Sequence, residues 1–268
     1  MSGFDQYRKP LRPGAKLIVM ACWARCLGEC SDKMSREHLV SESIFPQGKI
    51  RVQGFPWCMD EPKEIGISGL TAKILCVRHN NDLSPVDEAG LVAFEAFKEI
   101  RRLANVRNAM KPRHWNVVRY RINGPMLERW FLKSLINLSC DGEWPIGRES
   151  EVPGRPHDRL VRIAYGREKF DSRAGLYFLA KTGMRIESAD TILFSPLVME
   201  RHHIEGGLFT FRGQGFLLYL ESEGPPEPLS GIMWNGDDLG GVQLNFHNQR
   251  IDVLDREKNR SQVLAIKW

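Results

Sequence analysis

The chain changes from helical to strand-like periodicity near its middle. Apolar residues recur every three or four positions from residue 86 to residue 104 and from residue 127 to residue 138, which predicts two amphipathic helices. Ser84-Pro85-Val86-Asp87 is typical of a helix start, and we expect the first helix to reach Asn105. Gly90 weakens this helix by about 1 kcal/mol relative to alanine without changing the prediction. Pro125 begins the second helix.

Short apolar runs separated by turn residues occupy the chain after residue 160. They predict strands near residues 160–165, 175–181, 191–199, 208–212, 215–221, 231–234, 242–247, 250–255 and 262–267. Further strands are expected at residues 16–23 and 73–75. This spacing is typical of a mostly antiparallel sheet, a sandwich or a partial barrel. The predicted fold class is therefore α+β, with an N-terminal domain over residues 1–105 and a helix plus a β-rich domain over residues 106–268.

The composition is that of an ordinary globular protein. Of the 268 residues, 42% are hydrophobic and 26% are charged, and the formal net charge is +5. A charge of this size permits a polyanionic partner without requiring one. No apolar run approaches the roughly 20 residues that cross a bilayer, so we expect no membrane association.

Cysteine is concentrated near the N-terminus. Five of the six cysteines fall within about a fifth of the chain: Cys22, Cys26, Cys30, Cys58 and Cys76. Cys26-x-x-x-Cys30 and Cys76-x-x-His79 are two pairs with the spacing of a structural zinc site. Cys22 is an alternative first ligand, and Cys58 is a spare. Closely spaced cysteines mixed with histidine favour metal over disulfides, which predicts a reducing, cytoplasmic location.

Zinc would also explain how residues 41–72 become ordered. This stretch is rich in loops and lacks a continuous hydrophobic pattern, so ordering it is entropically expensive. Without metal, the N-terminal part should lose structure.

The order of motifs in this region resembles the HNH, or ββα-metal, endonucleases. Glu37-His38 follows the first cysteines, and Asn80 directly follows the second pair. The resemblance covers about residues 16–105 and implies a zinc-stapled ββα-metal domain that hydrolyses DNA phosphodiester bonds. It implies that His38 is the general base and that Glu37 and Asn80 are catalytic residues that bind a catalytic Mg²⁺ or Mn²⁺. Histidine suits deprotonation of water near neutral pH, and oxygen ligands suit a hard cation.

Two positions depart from the family pattern. Thr71 stands where the family has its middle asparagine, so the orientation of His38 must come from the Thr71 hydroxyl or from a backbone carbonyl. The second pair ends in His79 rather than cysteine. We place His79 on zinc; if it instead binds the catalytic ion, Cys58 or Cys22 completes the zinc site. Asp87 is explained by its position at the helix start.

Basic residues crowd between positions 98 and 121, and this segment is expected to face DNA. The expected phosphate contacts are Arg36, Arg78, Arg101, Arg102 and Arg107. The alternative is a solvated helix face.

The sequence thus predicts an HNH endonuclease that nicks or cuts DNA, in the context of restriction or phage defence. The first alternative is a catalytically inactive, zinc-containing nucleic-acid-binding protein. The second is an interaction subunit whose residues 106–268 bind a protein partner.

Overall fold

The chain has an α+β fold built on a mixed, mostly antiparallel sheet, which confirms the predicted fold class at this level. A computed structural model describes residues 22–45, 48–54, 58, 61–111, 115–140, 142–180, 191–199, 202–211, 214–225, 233–234, 237–238, 243–253 and 262–268. Of the strand expected at residues 16–23, only the last two residues are described, and neither belongs to a strand.

Helices and strands alternate unevenly along the chain. The α-helices of the described residues are α1 (Val77–Asp82), α2 (Ser84–Ala109), α3 (Gly124–Ser139) and α4 (Asp158–Ala164). The strands of the first half are β1 (Glu37–His38), β2 (Lys49–Gln53), β3 (Lys63–Gly66), β4 (Thr71–Ala72) and β5 (Val118–Asn123). Those of the second half are β6 (Gly175–Ala180), β7 (Thr191–Val198), β8 (Ile204–Phe211), β9 (Gln214–Tyr219), β10 (Met233–Trp234), β11 (Asp237–Asp238), β12 (Gln243–Phe246), β13 (Arg250–Val253) and β14 (Gln262–Lys267). Both predicted helices are present as α2 and α3.

A seven-stranded sheet joins the two halves of the chain. Its order is β12-β6-β9-β8-β7-β2-β3, and its neighbours are antiparallel except for β2 and β7, which are parallel. The first half therefore contributes two edge-side strands to a sheet that the second half mostly builds. A separate three-stranded sheet has the order β13-β14-β5, in which β14 and β5 are parallel.

Two of the predicted strands are corrected. Residues 158–164 form helix α4, not a strand at 160–165. The apolar residues of this short run, Leu160, Val161 and Ile163, are all buried, and so short a run does not distinguish a buried strand from a buried helix. The strand expected at residues 73–75 lies earlier, as β4 at Thr71–Ala72.

The largest hydrophobic cluster contains residues from both halves of the chain, from Cys22 to Ile266. At its centre, aromatic rings of α2 and α3 pack against rings of β8 and β9. Phe131 lies 5.2 Å from Phe209 and 4.7 Å from Phe216, measured between ring centroids. Residues of the first half of the chain and strands of the seven-stranded sheet therefore share one hydrophobic core.

Gly90 lies directly beneath Trp130 in this core. A Cβ atom at Gly90 would be 2.5 Å from Trp130 Cδ1. Glycine, which costs the helix about 1 kcal/mol in propensity, is therefore required there for the close approach of α3.

We expect Gly90→Ala to lower the free energy of unfolding by about 1–3 kcal/mol, because the indole must move within a packed cluster. Urea denaturation measures the change. Gly69→Ala is the control: nothing lies within 4 Å of a Cβ there, and its effect should stay within about 0.5 kcal/mol. Equal stability of Gly90→Ala and wild type would show that the Trp130 side chain can move away from residue 90 without an energetic cost.

Candidate metal centre and catalytic cleft

Two segments distant in sequence run antiparallel beside α1. β1 pairs with β4, with His38 opposite Thr71. A backbone hydrogen bond of 2.9 Å from Ser35 N to Leu75 O continues the pairing toward the start of α1. Two short strands and a helix thus form one unit, while the intervening residues 41–70 carry β2 and β3 into the large sheet.

Four residues of this unit bring their ligand atoms together. The thiols of Cys22, Cys30 and Cys76 and a ring nitrogen of His79 all lie within 4.8 Å of one another. His79 Nδ1 is 3.3 Å from Cys22 Sγ, 3.5 Å from Cys30 Sγ and 3.3 Å from Cys76 Sγ. Tetrahedral zinc with bonds of about 2.3 Å to sulfur and about 2.0 Å to nitrogen sets such atoms about 3.5 Å apart. The group could therefore hold a structural metal such as zinc.

Cys22 occupies the position expected for Cys26, which corrects the predicted ligand set. A 3-10 turn at Arg25–Leu27 leaves Cys26 exposed, whereas Cys22 is buried. Cys58 is also outside the group; its Sγ lies 3.7 Å from Val52 O.

The members of the group differ in how easily they reach the protonation state that binds metal. Burial raises the pKa of Cys22 to about 12. Burial also acts to raise the pKa of Cys76, but hydrogen bonds from the His79 backbone and from Ser31 outweigh it, and the pKa falls to about 7. Burial lowers the pKa of His79 and so favours the neutral, metal-binding imidazole. Cys76 is the thiol that most readily offers a thiolate.

Tyr165, at the end of α4, supports this centre from the second half of the chain. Its hydroxyl donates to His79 O at 2.8 Å, and its ring packs edge-on against the His79 ring at 5.7 Å. It also packs edge-on against Trp23 at 5.8 Å. Because Tyr165 lies in the run mistaken for a strand, sequence reasoning missed it.

The three residues expected to carry catalysis line one cleft of about 220 Å³. The cleft is lined by Glu37, His38, Ser41, Glu42, Ser43, Asn80, Ser84, Asp87 and Lys133. Glu37 and His38 come from β1, and Asn80 comes from α1 directly after His79. A residue of the Cys–His group and a cleft residue are therefore neighbours on one helix.

Lys133 of α3 forms the floor of the cleft and was not predicted. Its side chain is 3% exposed, and its Nζ lies 2.7 Å from Glu37 Oε1 and 2.6 Å from Asp87 Oδ2. Asp87 also accepts a hydrogen bond of 2.5 Å from Ser41 Oγ. The Asp87 side chain therefore forms an ion pair with Lys133 and does not cap the start of α2. The available signal was a lysine one turn after Trp130, within the apolar stripe of the second helix.

Burial is the largest influence on the pKa of the Glu37 carboxyl group. It raises the pKa of Glu37, while the Lys133 ammonium acts in the opposite direction. Lys133 thus helps to keep a buried carboxylate charged.

The imidazole of His38 is partly exposed and lies beside a second acid. Its Nε2 is 3.4 Å from Glu42 Oε2. The Thr71 hydroxyl, one of two groups expected to orient His38, instead accepts a hydrogen bond of 2.9 Å from Arg36 Nε. The His38 carbonyl accepts one of 3.4 Å from Asn137 Nδ2.

Arg36 and Arg78, expected as phosphate contacts near the motif, are both exposed. Arg36 is held by Thr71 as described, and Arg78 forms an ion pair with Glu29. Both lie in or beside the unit that builds the cleft.

The arginines expected on α2 differ from one another. Arg102 is exposed and paired with Glu99 at 2.6 Å. Arg101 has Nε and Nη1 atoms that are buried and lack a hydrogen-bond partner among the described residues. Arg107 is buried and lies over the Trp115 ring, 5.0 Å from its centroid. Arg107 is therefore placed for packing more than for contact with a ligand.

No known protein family, curated protein or solved structure matches this chain. Within the described residues, every helix is too short or too polar to cross a membrane.

Proposed function

We propose that this protein is a metal-dependent endonuclease of the HNH type that hydrolyses phosphodiester bonds in DNA. One observation carries the proposal: His38, Glu37 and Asn80 line one cleft, on the unit that also holds the Cys–His metal centre. An imidazole, a carboxylate and an amide oxygen are the groups needed to activate water and to bind a divalent cation.

In this proposal His38, Glu37 and Asn80 have the roles that were predicted from the sequence. His38 takes a proton from the attacking water. Glu37 and Asn80 would hold Mg²⁺ or Mn²⁺, which supplies charge stabilisation at the phosphoryl and leaving oxygens. Lys133 holds one oxygen of Glu37 at 2.7 Å, and structural zinc would fix the start of α1 and with it Asn80. The cleft is built on residues between Glu37 and Asp87 and is completed by Lys133 of α3.

DNA would approach across the exposed basic groups next to the cleft. Arg36 and Arg78 lie in or beside the unit that builds the cleft, and the exposed Arg102 of α2 would add to this basic surface. Arg101 would contribute less, because two of its guanidinium nitrogens are buried. Binding should weaken steeply with salt, because each neutralised phosphate releases counterions. We place the protein in the cytoplasm, and a role in restriction or phage defence belongs to the same proposal.

His38→Ala should reduce cleavage by about 10²–10⁴-fold, the usual contribution of a general base. Nicking of supercoiled plasmid with Mg²⁺ or Mn²⁺ measures it, and a chelated sample sets the background. His157→Ala is the matched control, since His157 lies outside the cleft and pairs with Glu149; it should cleave like wild type. Equal cleavage by His38→Ala and wild type would reject catalysis by His38.

A catalytically inactive, zinc-containing nucleic-acid-binding or interaction protein is the second candidate. Lys133 favours it, because its ammonium already pairs with the carboxylates of Glu37 and Asp87. Salt-sensitive DNA binding without metal-dependent cleavage by wild type would support a binding protein. Capture of a defined protein partner without DNA binding would support an interaction subunit.

A further inference from the structure

Helix α3 lies outside the segment that resembles the HNH family, but one of its side chains is hydrogen-bonded to the backbone of His38. Asn137 Nδ2 donates to His38 O at 3.4 Å, and Asn137 Oδ1 accepts from Trp23 Nε1 at 3.1 Å. Asn137 is 1% exposed, so bulk water does not compete for these bonds. Lys133, one turn earlier on the same face of α3, holds Glu37, the residue before His38. α3 therefore contacts two adjacent residues of β1.

The two partners of Asn137 determine which way its amide faces. An indole N–H can only donate, and a carbonyl oxygen can only accept. Both are satisfied when Oδ1 faces Trp23 and Nδ2 faces His38. Leucine at this position would satisfy neither partner, and an ionised aspartate would offer no donor to the His38 carbonyl.

Trp23 connects this amide to the metal centre. It directly follows Cys22, and its backbone N–H donates to Ile74 O at 3.0 Å. Its ring packs edge-on against Tyr165, whose hydroxyl binds the backbone of His79. The ligands that fix the metal centre therefore also fix the group that holds Asn137.

We propose that Asn137, held by Trp23, is a positioning residue for His38. The inference rests on the proposed nuclease function. The HNH family has an asparagine where this chain has Thr71, and the Thr71 hydroxyl is hydrogen-bonded to Arg36. Asn137 supplies an amide group from α3 in place of that asparagine. Because Trp23 follows Cys22, the metal centre and the general base are linked through two side chains, those of Trp23 and Asn137.

Asn137→Asp tests the inference with an almost isosteric change. We expect the turnover number at saturating DNA and metal to fall about ten- to hundredfold, as a small misplacement of a catalytic group does, while KM is unchanged. Asn123→Asp is the matched control on the same helix: Asn123 Oδ1 accepts from Met126 N at 3.1 Å, and aspartate preserves that cap. It should behave like wild type.

Two further variants separate positioning from general stability. Trp23→Phe keeps an aromatic ring but removes the donor to Asn137, and it should lower turnover in the same way by a smaller factor. In a His38→Ala background, measured with excess protein, Asn137→Asp should add no further loss. An equal loss in both backgrounds would show that Asn137 acts on the fold and would overturn the inference.

The histidine NMR spectrum gives a readout that does not depend on cleavage. The His38 ring signals, identified by their absence in His38→Ala, should shift in Asn137→Asp and Trp23→Phe but not in Asn123→Asp. Unchanged signals would overturn the positioning inference. If the signals shift in these variants but the wild-type protein cleaves no DNA, the nuclease proposal is rejected and the positioning of His38 by Asn137 still holds.

Discussion

Removing metal from the Cys–His centre is expected to unfold the segments around it while the large sheet stays folded. Between residues 25 and 36 none of the side chains is buried, yet ordering each residue costs about 1–2 kcal/mol in backbone entropy. Apolar burial cannot offset that cost here. Zinc binding, which contributes about 10–16 kcal/mol in small zinc modules, can. Hydrogen exchange should show lost protection near residues 25–36 after chelation, with protection in β8 and β9 retained.

The ligand set can be tested with one pair of variants. Cys22→Ser should lose bound zinc and lower the thermal midpoint, because it removes a member of the group of four. Cys26→Ser, four residues away, should retain one zinc per chain. Elemental analysis of the purified proteins measures the difference. Zinc loss in Cys26→Ser but not in Cys22→Ser would restore the ligand set predicted from spacing alone.

Local pattern was sufficient for much of the fold. The alternation and turns after residue 170 predicted β6, β7, β8 and β9, because a strand buried in a sheet has a distinct apolar run between turn residues. The periodicity and the Ser84-Pro85 start predicted α2 for the same kind of reason. The motif spacing also indicated which segments meet at the Cys–His group. The helix and the strands could be predicted because they depend on residues that are neighbours in sequence.

The features that were missed depend on contacts across the chain. Lys133 and Asn137 are polar residues in an apolar helix stripe, and their partners lie more than 40 residues away. Their position within the apolar stripe indicates burial, but nothing local indicates which residues they contact. Cys22 was predicted only as the alternative to Cys26, because the choice between them depends on a single 3-10 turn that spacing does not reveal. Pairing of β2 with β7 joins segments that no local pattern connects.

Lys133→Met should lower the free energy of unfolding by about 3–5 kcal/mol at neutral pH. Removing one partner of a buried ion pair leaves the other charge without compensation, and the Glu37 side chain is 6% exposed. Lys98→Met is the matched control, because Lys98 pairs with Glu95 on the exposed face of α2 and such pairs contribute about 0–1 kcal/mol. Adding Glu37→Gln to Lys133→Met should recover a substantial part of the loss. A loss below about 1 kcal/mol would contradict a buried ion pair.

The loss should also depend on pH with a defined sign. Burial raises the pKa of Glu37, and Lys133 opposes that rise, so the pKa rises further without the ammonium. A carboxyl group whose pKa is higher in the folded than in the unfolded protein stabilises the fold at low pH, and that contribution is lost as pH rises through the folded-state pKa. The stability difference between Lys133→Met and wild type should therefore be largest at neutral pH and shrink as pH falls toward about 4. A difference that does not change with pH would mean that Lys133 acts through its methylene chain and not through its charge.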